Sequence, residues 1–405
     1  MTIASNRPAD SYSPLYFLAS LGVGGIVVTF FMFLMFWVPH TGRPVPIFED
    51  IAAAFGSGAP LMQAAIAISV LGIAVFSFMN IRSLIWNLRA LSAFKNTENY
   101  TKLRSSNAET TLLAQPLAMA MSVNALFIVG LVFVPGLWSI VEYLFPMAMV
   151  AFALIGIMAF RTIGDFLGRV LSSGGLFDVT AHNSFAQLLP AFAISMVGVG
   201  FAAPAAMSNN TVTVGVALIF STFFGIAAII YTVVAAITAF NSMLHYGTAR
   251  EAGPTLMIIV PIMTILGILF LRQDHGLHVS FGVHSTAGET MVFLARLLTV
   301  QVIFLMLGLL VLRRQGYFKD FVLGSGTSPG SYALVCPAVA TSVMLHFFIN
   351  KGLVQAGVVD KFSLVYWGLT AFALASQAIA VALVLRLNHQ HFKSRPIQPA
   401  LVPGE

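Results

Sequence analysis

Few side chains in this sequence can do chemistry, and their types and spacing narrow what that chemistry is. Glu142 and Arg296 stand inside long apolar runs. A charge at membrane depth costs about 2.5–3.5 kcal/mol on insertion scales. Two readings fit: an ion pair between the two, as across a protomer boundary, or separate side chains that each reach back to the outer interface. His346 offers a proton-linked switch or a haem ligand, but no second histidine lies clearly within an apolar run to share a haem. A structural or interfacial histidine is the simpler reading. His275, His278 and His284 are spaced by three and six residues, which fits no strong zinc pattern. They read as a solvated loop, and no metal is expected. Cys336 is the only cysteine, which excludes an internal disulfide and a multi-cysteine metal centre. With no base or cation beside it in sequence, it reads as a small buried residue. No phosphate loop, Walker lysine, dinucleotide fingerprint or nucleophile elbow occurs. The sequence therefore argues against an enzyme or an ATP-driven pump, and no cofactor is expected.

The elements that carry these residues follow from composition. The chain has 405 residues, 58% of them hydrophobic and 8% charged, against about 25% charged in soluble domains. So little charge cannot solubilise a water-facing surface, so the bilayer is the expected solvent. Backbone polar groups in lipid must be satisfied internally, by helices or a closed barrel. A barrel needs alternating segments of about ten residues, whereas runs such as 15–38 and 212–240 are continuously apolar. Their length suits helices across about 30 Å of hydrocarbon. The expected class is therefore an all-α polytopic membrane protein.

Ten spans are expected: 15–38, 61–85, 113–134, 137–160, 185–207, 211–241, 253–272, 289–312, 330–350 and 362–386. Short connectors, Pro135-Gly136 and Ser208-Asn209-Asn210, force antiparallel neighbours, so the ten read as five helical hairpins. Lys and Arg set the orientation. The N-terminus, the connectors after even spans and the C-terminal tail hold fifteen of them, including Arg7, Arg82, Lys393 and Arg395. The other side holds Arg43, Arg272, Lys351 and Lys361. Both termini are thus expected in the cytoplasm. The organisation is a cytoplasmic tail over 1–14, one membrane domain over 15–386, and a second cytoplasmic tail over 387–405. The net charge of +6 reflects basic inner loops and does not point to nucleic acid. The stretch 88–104, basic and moderately amphipathic, is expected along the anionic inner leaflet.

The odd spans share a pattern. Pro14, Pro116, Pro190 and Pro254 open them, with Gly330 in the ninth. Eight residues on stand Gly22, Asn124, Gly198, Ile262 and Ala338. Proline is tolerated at a helix start, where its missing N–H has no partner to lose. Pro261 and Pro337 come later and are expected to kink their helices. Small residues one turn further in let backbones approach each other or leave space beside a shared axis. Five helix starts around one mouth, each worth about half a positive charge, would attract anions. A nearly neutral lumen beyond them would favour passage over retention.

In this topology and proline placement the chain resembles the tellurite-resistance/dicarboxylate transporter family, which includes the slow anion channels of plant guard cells. The resemblance covers about residues 12–390. It is most similar over Pro254-Thr-Leu-Met-Ile-Ile-Val-Pro261 and Ser331-Tyr-Ala-Leu-Val-Cys-Pro337. It implies five hairpins around a central pore, odd helices lining it, cytoplasmic termini and a homotrimer in the bacterial inner membrane. It also implies a pore-occluding phenylalanine just before the proline of the ninth helix, where this sequence has Cys336. Cysteine is too small to plug a pore alone. Either another ring from an odd span does so, with Phe17, Phe127, Phe192 and Phe201 available, or gating differs.

The expected lining is Ser20, Gly22, Ser122, Asn124, Met196, Gly198, Val260, Pro261, Cys336 and Pro337. The expected function is passage of small anions, inorganic oxyanions or short carboxylates, across the bilayer. The alternative is a membrane anchor subunit of a redox enzyme, with a quinone site near His346 and Arg296.

Overall fold

Apolar sequence without alternation leaves the backbone one way to satisfy its hydrogen bonds. The computed structural model describes residues 9–173, 178 and 183–392, and among these every regular element is helical and none is a strand. Arg7, Lys393 and Arg395, with most of both expected tails, lie outside the described residues. Among the described residues ten helices are long and apolar enough to cross a membrane: α1 Pro14–Trp37, α2 Pro60–Phe94, α3 Asn107–Phe133, α4 Leu137–Ser172, α5 Phe185–Met207, α6 Thr211–Tyr246, α7 Arg250–Phe281, α8 Ala287–Arg314, α9 Pro329–Val354 and α10 Leu364–Phe392.

Several helices outrun the expected spans. The bilayer limits how long an apolar run is, but a helix ends only where a breaker or cap ends it. α2 continues through Arg82 and Arg89 to Phe94, so the start of the basic stretch 88–104 belongs to it. The remainder forms a short helix, Glu98–Arg104, whose Arg104 pairs with buried Glu109 at 3.1 Å, and Arg169 pairs with the same carboxylate. α7 runs nine residues past the expected end at Arg272 and stops at Gly282, whose φ of +68° is left-handed. Glycine takes that conformation without a Cβ clash. His275 and His278 therefore sit on a helix, not in a loop.

The odd spans share a start that proline spacing alone does not reveal. Each opens with 3-10 turns: Pro14–Tyr16, Asn107–Leu113, Phe185–Leu188, Arg250–Met257 and Pro329–Leu334. Ser13, Ser106 and Ser184 cap three of them, each hydroxyl accepting the N–H two residues on at 3.3 Å. The α-helical parts then begin at Phe17, Ala114, Leu189, Ile259 and Val335. Pro261 and Pro337 are thus third residues of α-helical segments, as is Pro116. Each therefore sits just past a 3-10-to-α junction, where the partner carbonyl that proline forfeits belongs to the preceding 3-10 turn or to the junction.

Burial separates the two sets of helices. The odd spans bury between 56% and 94% of their most apolar windows inside the molecule, the even spans between 17% and 39%. α1 packs on α3, α3 on α5, α5 on α7, α7 on α9 and α9 on α1, which closes a ring; each odd span also packs on the even span that follows it. The even spans expose large aliphatic and aromatic side chains such as Leu71, Phe78, Leu154, Ile230 and Phe372, as lipid contact requires.

Candidate functional site

Residues three and four apart share one face of a helix, and one such stripe on each odd span faces inward. On α5 it runs Phe192, Met196, Val199, Ala203, Met207; on α7, Pro261, Thr264, Ile268, Arg272, His275; on α9, Cys336, Val339, Val343, Phe347, Lys351. Stripes from α1, with Gly22, Gly25 and Met32, and from α3, with Met121, Asn124 and Phe127, complete the wall. They enclose a cavity of about 770 Å³. A water molecule takes about 30 Å³ of liquid, so a small hydrated solute fits.

The wall is tied together by buried polar groups. Gln301 on α8 donates through Nε2 to Val260 O at 2.9 Å and to Thr264 Oγ1 at 2.6 Å, and Thr264 donates on to Ala340 O at 3.1 Å. This chain fixes α7 against α8 and α9. Asn124 donates to Ala120 O at 3.2 Å and approaches Met196 Sδ at 3.6 Å, which places an amide on an otherwise apolar wall between α3 and α5.

The two ends differ. Towards the starts of the odd spans the cavity stops at a layer containing Phe192 and Cys336. Both side chains also line a separate void of about 10 Å³, walled by Leu18, Leu189, Pro254, Thr255, Ile258 and Ala333. That void is too small for more than one water and is almost wholly apolar, so the layer is closed and dry. Towards the ends of the odd spans the wall includes exposed His275, His278, Ser285 and Gln355, so the cavity opens to solvent there. Arg272, Asp274 and Lys351, all half-buried, complete this end. Arg272 donates from Nη1 to Val199 O at 2.9 Å. Next to it, Gln273 anchors α7 to α6 through Ser221 at 2.8 Å and Thr222 at 2.9 Å.

Of the residues expected from sequence to line a pore, Gly22, Asn124, Met196, Pro261 and Cys336 face the cavity. The other five do not. Ser20 donates to Asn80 O at 3.1 Å and so faces α2. Ser122 bonds back to Ala118 O at 2.9 Å. At Gly198 an added Cβ would stand 2.9 Å from Leu269 and 3.1 Å from Phe224, so the missing side chain admits neighbouring helices, not a solute. Val260 is fully buried on the α8 side. Pro337 is buried next to Cys336 but off the wall. The reason is geometric: the opening residue stands at a different distance from the start of each α-helical part, Pro14 three residues before it and Pro116 two after it, so a fixed offset from that residue does not hold one face.

Among the candidate rings, Phe192 lies in the closing layer and Phe127 lines the wall beyond it. Phe17 is fully buried in the helical core. Phe201 stacks outward on Phe220 and Phe224 of α6, at 5.2 and 5.5 Å.

Glu142 accepts from Ser208 Oγ at 2.6 Å and Asn209 N at 2.7 Å. It holds the α5–α6 turn and, within the chain, makes no ion pair with Arg296, which is exposed on α8. His346 is fully buried, its ring 5.9–6.4 Å from those of Phe33, Phe36 and Trp37, with neither ring nitrogen hydrogen-bonded. His278 and His284 meet Nδ1 to Nδ1 at 2.9 Å, and among the described residues no group of three or more ligating side chains could hold a metal ion. Sequence reasoning missed Arg272 and Lys351 as wall residues. The available signal was their helical register: Arg272 follows Ile268 by four, and Lys351 follows Phe347 by four.

The sequence matches no protein-family model and no curated protein.

Proposed function

We propose that this membrane protein passes small anions through the cavity enclosed by its odd-numbered helices. The observation that supports this best is one wall stripe from each of five mutually packed helices around a shared void, sealed at one end by a single thin layer. A cavity built only to bind would not need five helices to present equivalent faces. The wall is mostly neutral, and its fixed charges are Arg272 and Lys351 against Asp274, which favours anions. By the distribution of Lys and Arg, the closed end faces the cytoplasm and the open end faces outward, in a bacterial inner membrane. In this reading Phe192 takes the plugging role that the family resemblance would assign to the position of Cys336, and the trimer stays part of the proposal by the same resemblance. The work is transport, not catalysis.

Flux into liposomes containing the purified protein tests the reading. Chloride, nitrate, sulfite or succinate should enter faster than into protein-free liposomes, with potassium entering no faster. Absence of flux for all four anions, at either polarity of membrane potential, would overturn it.

A further inference from the structure

Besides Arg296, which is exposed on α8 and off the cavity wall, four lysine and arginine side chains belong to the side of the molecule where the cavity opens. Two are already engaged: Arg43 is paired with Asp50, and the Lys361 ammonium lies 5.1 Å from the centre of the Phe362 ring. The other two, Arg272 and Lys351, are on the cavity wall, and neither has a carboxylate partner among the described residues. Asp274 does not serve Arg272. Residues two apart on a helix do not face each other, and its carboxylate is held by Ser285 Oγ at 2.5 Å. Arg272 spends one N–H on Val199 O, which fixes the guanidinium against α5 and leaves four donors.

The end of its helix explains one of these residues but not the other. Helix C-termini attract cations within the last turn. That accounts for Lys351, near the end of α9, but Arg272 stands nine residues before the end of α7, about 14 Å of helix rise deeper. The five C-terminal helix ends at this rim would by themselves favour cations. Solvent screens that rim beyond about 8 Å, while a half-buried cation inside the wall acts at short range in a lower dielectric. The sign of the interior is therefore set by Arg272, supported by Lys351.

We infer that Arg272 and Lys351 form an anion-docking site at the open end of the cavity, suited to planar oxyanions such as carboxylates or nitrate. A guanidinium presents parallel N–H donors that match two oxygens of a planar anion, while a lysine ammonium acts as a point charge. Arg272 supplies the shape preference and Lys351 adds attraction. This site rests on the anion-passage reading, yet it can be tested without flux.

Cys336, the only thiol in the chain, lines the same cavity at its closed end and serves as a built-in reporter. Purified protein is treated with an anionic and a cationic methanethiosulfonate of similar size, with and without sodium nitrate, sodium formate or sodium chloride. The anionic reagent should modify Cys336 about tenfold faster. Nitrate and formate should slow it several-fold more than chloride at equal ionic strength. Arg272→Gln should abolish both effects. Arg272→Lys should keep the charge preference and lose the discrimination between oxyanion and chloride, and Lys351→Gln should weaken the charge preference only. If Cys336 is sealed from both reagents, Thr290→Cys in a Cys336→Ala background places the reporter on the wall near the mouth. Equal rates for both reagents, or equal protection by chloride and nitrate, would overturn the site. Retained docking in a protein that passes no anion would sink the passage reading and leave the site standing.

Discussion

At one end of the cavity the wall is an aromatic ring, a thiol and aliphatic side chains; at the other it is a guanidinium, an ammonium, a carboxylate and two imidazoles. Both ends are built from the same five helices. What differs is the depth at which each helix carries its polar residues. The closed end lies just beyond the 3-10 turns of the odd spans, where α1, α5, α7 and α9 crowd apolar side chains together, and a dry layer of this kind is a barrier by desolvation alone. The open end gathers charge because α7 and α9 stay helical past their apolar runs. Under the proposed passage of anions, a solute would be selected at one place and stopped at another. The sharpest way to break this division is to move one role without the other.

Phe192→Ala should have the largest effect. Removing the ring joins the cavity to the small void behind it and wets the closing layer. Anion flux in liposomes should rise by more than tenfold, roughly 1.4 kcal/mol or more off the barrier, while the anion selectivity set at the other end stays as it was. Adding Cys336→Phe to this variant should return flux towards its starting value, since a ring then fills the same layer from α9. A rise in flux accompanied by loss of selectivity would mean that the two ends do not act separately.

Arg272 gives the reciprocal experiment and the next largest effect. Its replacement by Gln should leave the closing layer intact and lower the permeability ratio of nitrate to potassium several-fold, read from reversal potentials in a planar bilayer with Phe192→Ala in the background to provide current. An unchanged ratio would assign selectivity to the neutral wall.

The closed end was more legible in sequence than the open one, for a physical reason. Helical class and the ten spans followed from apolar run length, because hydrocarbon thickness sets it. The prolines near the starts of the odd spans marked the end of the molecule at which the closing layer stands, and only the family resemblance singled out Cys336 there. Ser20, Ser122, Gly198, Val260 and Pro337 were misplaced because α-helical parts that start four to ten residues after their caps cannot be aligned on one proline. The open end was hidden by reading charge as the end of a span. Arg272 looked like the boundary of α7, and His275 and His278 like a loop, although nothing before Gly282 stops the helix. The pairing of Gln301 with Thr264 could not be foreseen at all, since it depends on which faces of α7 and α8 meet.

That polar tie provides a third and smaller test. Gln301→Leu leaves Thr264 Oγ1 and Val260 O without their donor from α8. An unmade bond to a buried group costs about 1–3 kcal/mol, so the detergent-solubilised protein should melt several degrees lower. Because the tie lies between the two ends, its loss should shift both flux and selectivity modestly, unlike either end variant. A melting temperature unchanged from wild type would mean that the contact carries no net stability.

Glu142 supplies the smallest effect and the cleanest control on charge. It lies at the same end of the molecule as Arg272, but its carboxylate is turned away from the cavity and into the α5–α6 turn, where Ser208 and Asn209 donate to it. A carboxylate beside the N-terminus of α6 is favoured by the helix dipole by about 0.3–1 kcal/mol. Glu142→Gln keeps an acceptor oxygen in place and removes only the charge, so the loss should be about 1 kcal/mol, seen as a small drop in melting temperature. Exchanging Glu142 and Arg296 together should not restore it, because within the chain the Glu142 carboxylate is held by Ser208 and Asn209; restoration would show that the two pair between protomers. If charge anywhere on the outer side governed selectivity, removing this acid would make the protein more anion-selective. If only charge on the cavity wall matters, the reversal potential should not move, even as the turn weakens. A shift comparable to that of Arg272→Gln would dissolve the distinction between a wall cation and a surface field.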